Sequence, residues 1–446
     1  MTQRHRFILP LTGAMAAIGV LAAPSAAAAS SLQVIYQIAS GGDHLIGTFA
    51  NADGSVFVVS DVGQNGRGQI LLLTPDHKKY KSAVIKEFAC DTDGSQPAAS
   101  LTADVAGNVW GMTNTGCGTG TADGTLFELV KPTTGKKWTF RTVLQMPSSI
   151  GYEGVAGSGY GQMVFDDVGN LYGLEALGCN DGSCGKIYEV PATLLGTGKP
   201  KGKVKILYSF AESNEGQPFG LVRDKNGNLF GNKYAGGAHN LGSAWEVSPP
   251  KRPNGAWTGR NIYDFCSDPS FDNCDDGEGA NGLPTLDANG VLYGTTFGGG
   301  PNFGSGTVWS LTPSPNGKTW AFRQLHTFNN PSVCAATTDY GIYRPYEATA
   351  FNQDGQLLTY TQQGGFFDPC GTSQRAIAGA LISIDPASGA DAIASNQFAA
   401  ADHVSGPYLP VSSPSVLGNT VFGTSSEYYD AGSDTYSAGV VFKITP

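Results

Sequence analysis

One pattern recurs seven times along the 446 residues, with copies about 60 residues apart, and a period of that length points to stacked or radial repeats. Its first element is a short apolar run ending in Gly, entered through a turn. The copies read GSVFV from Gly54, GNVWG from Gly107, GNLYG from Gly169, GNLFG from Gly227, GVLYG from Gly290, GQLLT from Gly355 and NTVFG from Asn419. A second element follows each copy: QILLLTP, TLFELV, KIYEVP, SAWEVSP, TVWSLTP, ALISIDP and VVFKITP. These segments alternate apolar with polar or small residues, and most stop at Pro, as strands do. A third element, SAVIKEF, VKILYSF, RNIYDF or RQLHTF, closes four of the repeats.

Each repeat therefore predicts four short strands, A to D, joined by tight turns. Four-stranded units repeated radially are the signature of a β-propeller, so the expected fold is all-β with seven blades. The expected repeats cover roughly 41–90, 91–148, 149–211, 212–266, 267–330, 331–400 and 401–446. The seventh ends at strand C. A matching D strand lies at the other end, in SLQVIYQIAS within residues 30–40. This N-terminal strand is expected to complete the last blade and lock the ring, removing the open edges of a linear array. High Gly usage, 62 residues, with only 14% charged residues, suits a turn-dense β chain and excludes a disordered one.

Ahead of the first repeat, residues 1–29 carry Arg4, His5 and Arg6, an apolar run from Phe7 to Ala23 and small residues from Ser25 to Ala29. That order is a secretory signal with an Ala-rich cleavage region, so export to the periplasm or medium is expected. No other apolar run is long enough to cross a bilayer. The net charge is −10, and losing Arg4 and Arg6 leaves 25 basic against 37 acidic residues, or −12. Such a balance disfavours nucleic acid as a partner.

Eight cysteines, Cys90, Cys117, Cys179, Cys184, Cys266, Cys274, Cys334 and Cys370, all follow the signal and show no C-x-x-C spacing. An even number in an exported chain reads as four disulfides, with a zinc site as the weaker alternative. Eight cysteines alone allow 105 connectivities. The propeller frame selects Cys90–Cys117 and Cys334–Cys370 as staples between neighbouring blades. It also pairs Cys179 with Cys184 across a B–C hairpin and Cys266 with Cys274 across an interblade loop.

The tandem units carrying GVLYGTTFGGG and GTVWSLTP resemble the GloVer repeats of bacterial exported proteins. The resemblance covers the mature chain, is strongest from Gln217 to Phe328, and weakens in the first, sixth and seventh copies. It implies a secreted or surface-displayed propeller and brings no catalytic motif. Members with C-terminal anchors extend beyond the last blade; this sequence has no evident anchor.

The Gly-rich stretch FGGGPNFGSG (Phe297 to Gly306) runs into a strand rather than a helix, so it reads as a B–C link and not as a phosphate loop. The A–B turns DVAGN, DDVGN, DKNGN, DANG, NQDG and NADG start like calcium loops but lack the Glu at the twelfth position. An Asp or Asn opening a turn with Gly at positive φ accounts for them. Trp138, Trp257 and Trp320, after the C–D turns, are expected to be outer-blade packing groups rather than sugar platforms.

The top rim, where D–A loops and B–C links meet, is the expected binding face. Acidic residues recur there: Asp93, Glu153, Glu215 and Glu278. Such carboxylates either accept loop amides or line a polar mouth that would at most hold a calcium ion; no other cofactor is expected. Deviant blades add Asp43 and His44, Arg344 and Tyr346, and His403 and Tyr408, with His239 beyond Lys233 as a weaker addition. Residues that break a repeat without structural need are the better functional candidates. His44, Arg344 and Tyr346 would suit a polysaccharide lyase, in which Arg neutralises a uronate and His or Tyr moves the proton. Glu153 with Glu215 would suit a glycoside hydrolase if the carboxylates stand roughly 5 to 9 Å apart. The leading expectation is a non-catalytic binding or scaffold module for extracellular carbohydrate or a surface protein, with the carbohydrate-active enzyme as the alternative.

Overall fold

Strands that are apolar at nearly every position must bury both faces, and a radial stack of sheets satisfies that by giving each blade two neighbours. The computed structural model describes residues 31–38, 44–90, 92–115, 124–133, 137–147, 163–175, 183–197, 201–211, 218–267, 274–300, 306–328, 343–363, 379–395, 406–430 and 435–445. They form seven antiparallel sheets in the expected A-B-C-D order, a seven-bladed β-propeller. Blade 1 comprises Leu45–Ala50, Val56–Ser60, Gln69–Asp76 and Lys79–Glu87. Blade 4 comprises Pro218–Arg223, Leu229–Lys233, Ser243–Ser248 and Thr258–Asp264. Blade 5 comprises Thr285–Leu286, Leu292–Thr296, Thr307–Pro313 and Trp320–Thr327. In blade 7, strand C (Thr435–Thr445) pairs with the N-terminal strand Ser31–Gln37, which supplies the missing strand D. Residues 1–30 lie outside the described set, and among the described residues no helix is long and apolar enough to cross a membrane.

The core is divided among the interfaces. Period-2 alternation sends neighbouring residues of one strand to opposite blades. Leu229 packs with blade 3 through Tyr172 and Ile187, while Phe230 packs with blade 5 through Leu292 and Trp309. Phe422 and Val441 of blade 7 meet Val56 and Leu71 of blade 1, so the ring closes through a core like the others. The three tryptophans are packing groups, as expected, and the structure adds that they pack across to the neighbouring blade. Trp138, Trp257 and Trp320 lie against Phe57, Tyr172 and Phe230 of the preceding blade, at ring separations of 4.9, 6.2 and 5.5 Å.

The Gly that ends the strand B element has a steric cause. Gly111, Gly173, Gly231, Gly294 and Gly423 stand directly across from Phe127, Tyr188, Trp245, Trp309 and Phe442 of strand C. At each, an added Cβ would enter the facing ring. The two copies that lack this Gly change both partners together. Val58 faces Leu71, and Thr359 faces Ile382, so a bulkier strand B residue accompanies a smaller strand C residue. The degenerate copies thus preserve the volume of the pair.

Bottom-face turns behave as their sequences predict. Asp104, Asp166, Asp224, Asp287 and Asn352 each accept backbone N–H bonds from residues two and four positions on. Arginines then tie adjacent blades across this rim. Arg141 pairs with Glu128 of its own blade and donates to the Leu195 carbonyl at 2.8 Å in the next. Arg260 pairs with Glu246 and donates to the Gly317 and Lys318 carbonyls at 2.5 and 2.6 Å. Arg323 donates to the Ala387 carbonyl at 2.7 Å.

Candidate functional site

Two arrangements on the top face bring chemistry together. The first sits at the boundary of blades 4 and 5. The loop from Cys274 to Leu283 crosses there, closed at its base by the Cys266–Cys274 disulfide, Cα–Cα 4.4 Å. Asp276 accepts the Tyr263 hydroxyl at 2.6 Å, and the Gly282 carbonyl accepts the Asn232 amide at 2.8 Å. Glu278 exchanges two backbone hydrogen bonds with Gly298, of 2.9 and 3.1 Å. This density of bonds fixes the loop before any ligand arrives, which lowers the ordering cost of binding.

On that loop the Glu278 side chain lies over Gly298 and has no hydrogen-bond partner among the described residues. Tyr234, at the top of strand B in blade 4, lies over Gly279 and is 47% exposed, a high value for a large ring. Phe297 of blade 5 stands 6.3 Å from it, centroid to centroid. A half-exposed ring beside a carboxylate suits a sugar, which offers an apolar C–H face to the ring and hydroxyl donors to the oxygens. The same loop continues to Leu283, in the wall of the central channel. That channel holds a cavity of about 360 Å³, and Thr48, Ser100, Thr102 and Ser413 contribute to its lining. The Thr48 hydroxyl is buried with no hydrogen-bond partner among the described residues.

The second arrangement belongs to blade 1. His44, just before strand A, places Nδ1 3.3 and 3.4 Å from the two Asp61 oxygens. Its ring is half exposed while Asp61 is buried, at 54% and 10% for the side chains. The bond to Asp61 raises the His44 pKa above the ordinary imidazole value, and partial burial opposes that shift. The sign follows directly. The charged pair adds stability below the ordinary histidine pKa, and that contribution disappears as pH rises through the raised value. An NMR titration will place the His44 midpoint above that of a free histidine, and Asp61→Asn will bring it down. An unmoved midpoint would show that Asp61 does not hold the ring.

Other expected site residues divide into three groups. Asp93 is buried and committed: it pairs with Lys86 and accepts the Ala89 amide at 3.2 Å. Burial pushes its pKa up, but the Lys86 ammonium and the amide outweigh that and hold it below the usual carboxylate value. His239 is exposed, while Lys233 is buried, donates to Asn261 at 3.1 Å and lies 5.1 Å from the Phe210 ring. Arg344 and Tyr346 fall in strand A of blade 6 (Tyr343–Phe351) and Tyr408 in that of blade 7 (Gly406–Pro410), but their side chains lie outside the described set. Asp43, Glu153, Glu215 and His403 also lie outside it. Among the described residues no group of three or more His, Cys, Asp or Glu could hold a metal ion. Cys90 is disulfide-bonded. Cys117, Cys179, Cys334, Cys370 and the Cys184 side chain fall outside the described residues, so the other pairings stay as expectations.

Sequence reasoning missed Tyr234 and Asp61, although they share a signal. Both stand four residues after the strand B aromatic, where the copies read Asp61, Asn114, Tyr234 and Phe297. A position that varies while its neighbours repeat faces different demands in each blade.

A model of the Gloeobacter/Verrucomicrobia repeat matches residues 42–268, just over half of the sequence. The chain belongs to this repeat family. The matched span covers the first four blades, and the remaining three continue the architecture of the repeat family. No curated protein matches the chain. Among solved structures, a catalytically inactive histidine-to-alanine variant of virginiamycin B lyase from Staphylococcus aureus, solved with quinupristin, is similar at a TM-score of 0.52 and 13% identity, over 94% of this chain and 99% of that one. A puromycin-hydrolysing peptidase from Mycobacterium tuberculosis is similar at a TM-score of 0.49 and 11% identity, over 89% of this chain and 52% of that one. At such identities the likeness extends to the fold alone.

Proposed function

We propose that this repeat-family propeller is an exported, non-catalytic binding module that takes extracellular carbohydrate on its top face, at the boundary of blades 4 and 5. The observation that carries the reading is the half-exposed Tyr234 ring beside Glu278 on a loop pinned by a disulfide and backbone bonds. Glycan-array binding followed by calorimetry on the best ligand tests it. Tyr234→Ala and Glu278→Gln will each weaken that ligand about tenfold or more. Equal affinity in both variants would overturn the assignment of this face, and capture of a surface protein with no glycan bound would replace carbohydrate as the ligand.

The His44–Asp61 pair supports the alternative, a carbohydrate-active enzyme, because an exposed imidazole oriented by a buried carboxylate is equipped for proton transfer. Release of unsaturated products from acidic polysaccharides, lost in His44→Ala, would favour this lyase reading over binding alone.

A further inference from the structure

The opposite face carries a separate groove, between the same two blades, with a volume of about 1000 Å³. Its rim is built from the A–B turns at Asp224 and Asp287 and from the C–D turns at Lys251 and Lys318. Arg223, Lys225, Lys251, Arg260 and Lys318 face it together with only Asp224, Glu246 and Asp287, a local excess of two positive charges in a chain of net charge −10. The three carboxylates are turned to internal partners. Asp224 accepts the amides of Asn226 and Asn228 at 2.8 Å, Asp287 accepts those of Asn289 and Val291 at 2.8 Å, and Glu246 takes Arg260. Lys225, Lys251 and Lys318 are exposed, and their ammonium groups have no hydrogen-bond or ion-pair partner among the described residues.

The groove is also preformed. Arg260 holds the blade 5 turn across it through the Gly317 and Lys318 carbonyls, and the Trp320 ring in its wall is fixed edge-on against Phe230 at 5.5 Å. At the rim Asn289 offers a side-chain amide suited to hydroxyls, whereas Asn226 donates to Asp224 at 3.3 Å and the Asn316 Oδ1 accepts the Lys318 amide at 2.9 Å. We propose that this groove binds a segment of an anionic polysaccharide, its lysines meeting carboxylate or sulfate groups and the Asn289 amide meeting sugar hydroxyls. The site is independent of the one on the top face.

Retention and calorimetry with polygalacturonate and with a heparin-type sulfated glycan test it, and the two arms distinguish carboxylate from sulfate. At about 50 mM salt, the Lys225→Gln, Lys251→Gln, Lys318→Gln triple variant will bind at least one of these glycans about tenfold or more weakly, and its affinity will fall less steeply as salt is raised. Tyr234→Ala will leave this binding intact, and the triple variant will leave top-face binding intact, so either site can fail alone. Unchanged affinity of the triple variant for both glycans would overturn the proposal. So would equal competition by single-stranded DNA of the same charge, because the groove would then read charge and not sugar.

Discussion

Gly294→Val will unfold at a markedly lower denaturant concentration than the parent, with a loss of about 3 kcal/mol. Gly294 faces Trp309 across strands B and C, the indole is fully buried, and any Cβ at position 294 would enter it. The first blade shows the compensation, since Val58 there faces Leu71. Trp309→Leu alone will also destabilise, by about 3 kcal/mol, because it leaves a cavity between blades 4 and 5. Joined with Gly294→Val it recreates the Val–Leu pair, and the double variant will be more stable than the sum of the singles by about 1–2 kcal/mol. Urea melts of the four proteins measure this coupling. Strict additivity would mean that the Gly is kept for another reason.

Arg260→Ala will cost about 2–3 kcal/mol, although Arg260 is itself 41% exposed. The charge pair alone, near the surface, would contribute about 0.5 kcal/mol. The larger figure comes from what the substitution strands: Glu246 is buried at 7% exposure, and two carbonyls of the next blade lose a charge-assisted donor. Adding Glu246→Gln will recover part of the loss by removing the unpaired buried charge. A stability within about 0.5 kcal/mol of the parent in Arg260→Ala would show that this clamp is ornamental. The same test applies to Arg141, whose Glu128 is equally enclosed.

Much of the ring was legible in the residues because its causes are local or periodic. Alternation assigned the strands, Asp and Gly marked the bottom turns, and the unpaired seventh repeat called for the strand at Ser31–Gln37. The tryptophans after the C–D turns were assigned correctly as packing groups, since their repeat position places them against the preceding blade. The candidate site was legible only in part. Glu278 was identified as one acidic residue among several similar ones, and His44 as a deviation from the repeat, but neither Tyr234 nor Asp61 was named.

The amino-acid sequence alone determined the number of blades, the direction of each strand and the closure of the last blade, because each follows from a pattern within a few dozen residues. The tertiary structure decided which polar groups on the top face are committed and which are left to meet a ligand. Asp93 and Glu278 look alike in sequence, each in an acidic D–A loop ahead of strand A. Lys86 and the Ala89 amide claim Asp93, whereas Glu278 is carried over Gly298 with its carboxylate unclaimed among the described residues. That difference depends on which side chains the neighbouring blade brings within reach, and no single repeat encodes its neighbour.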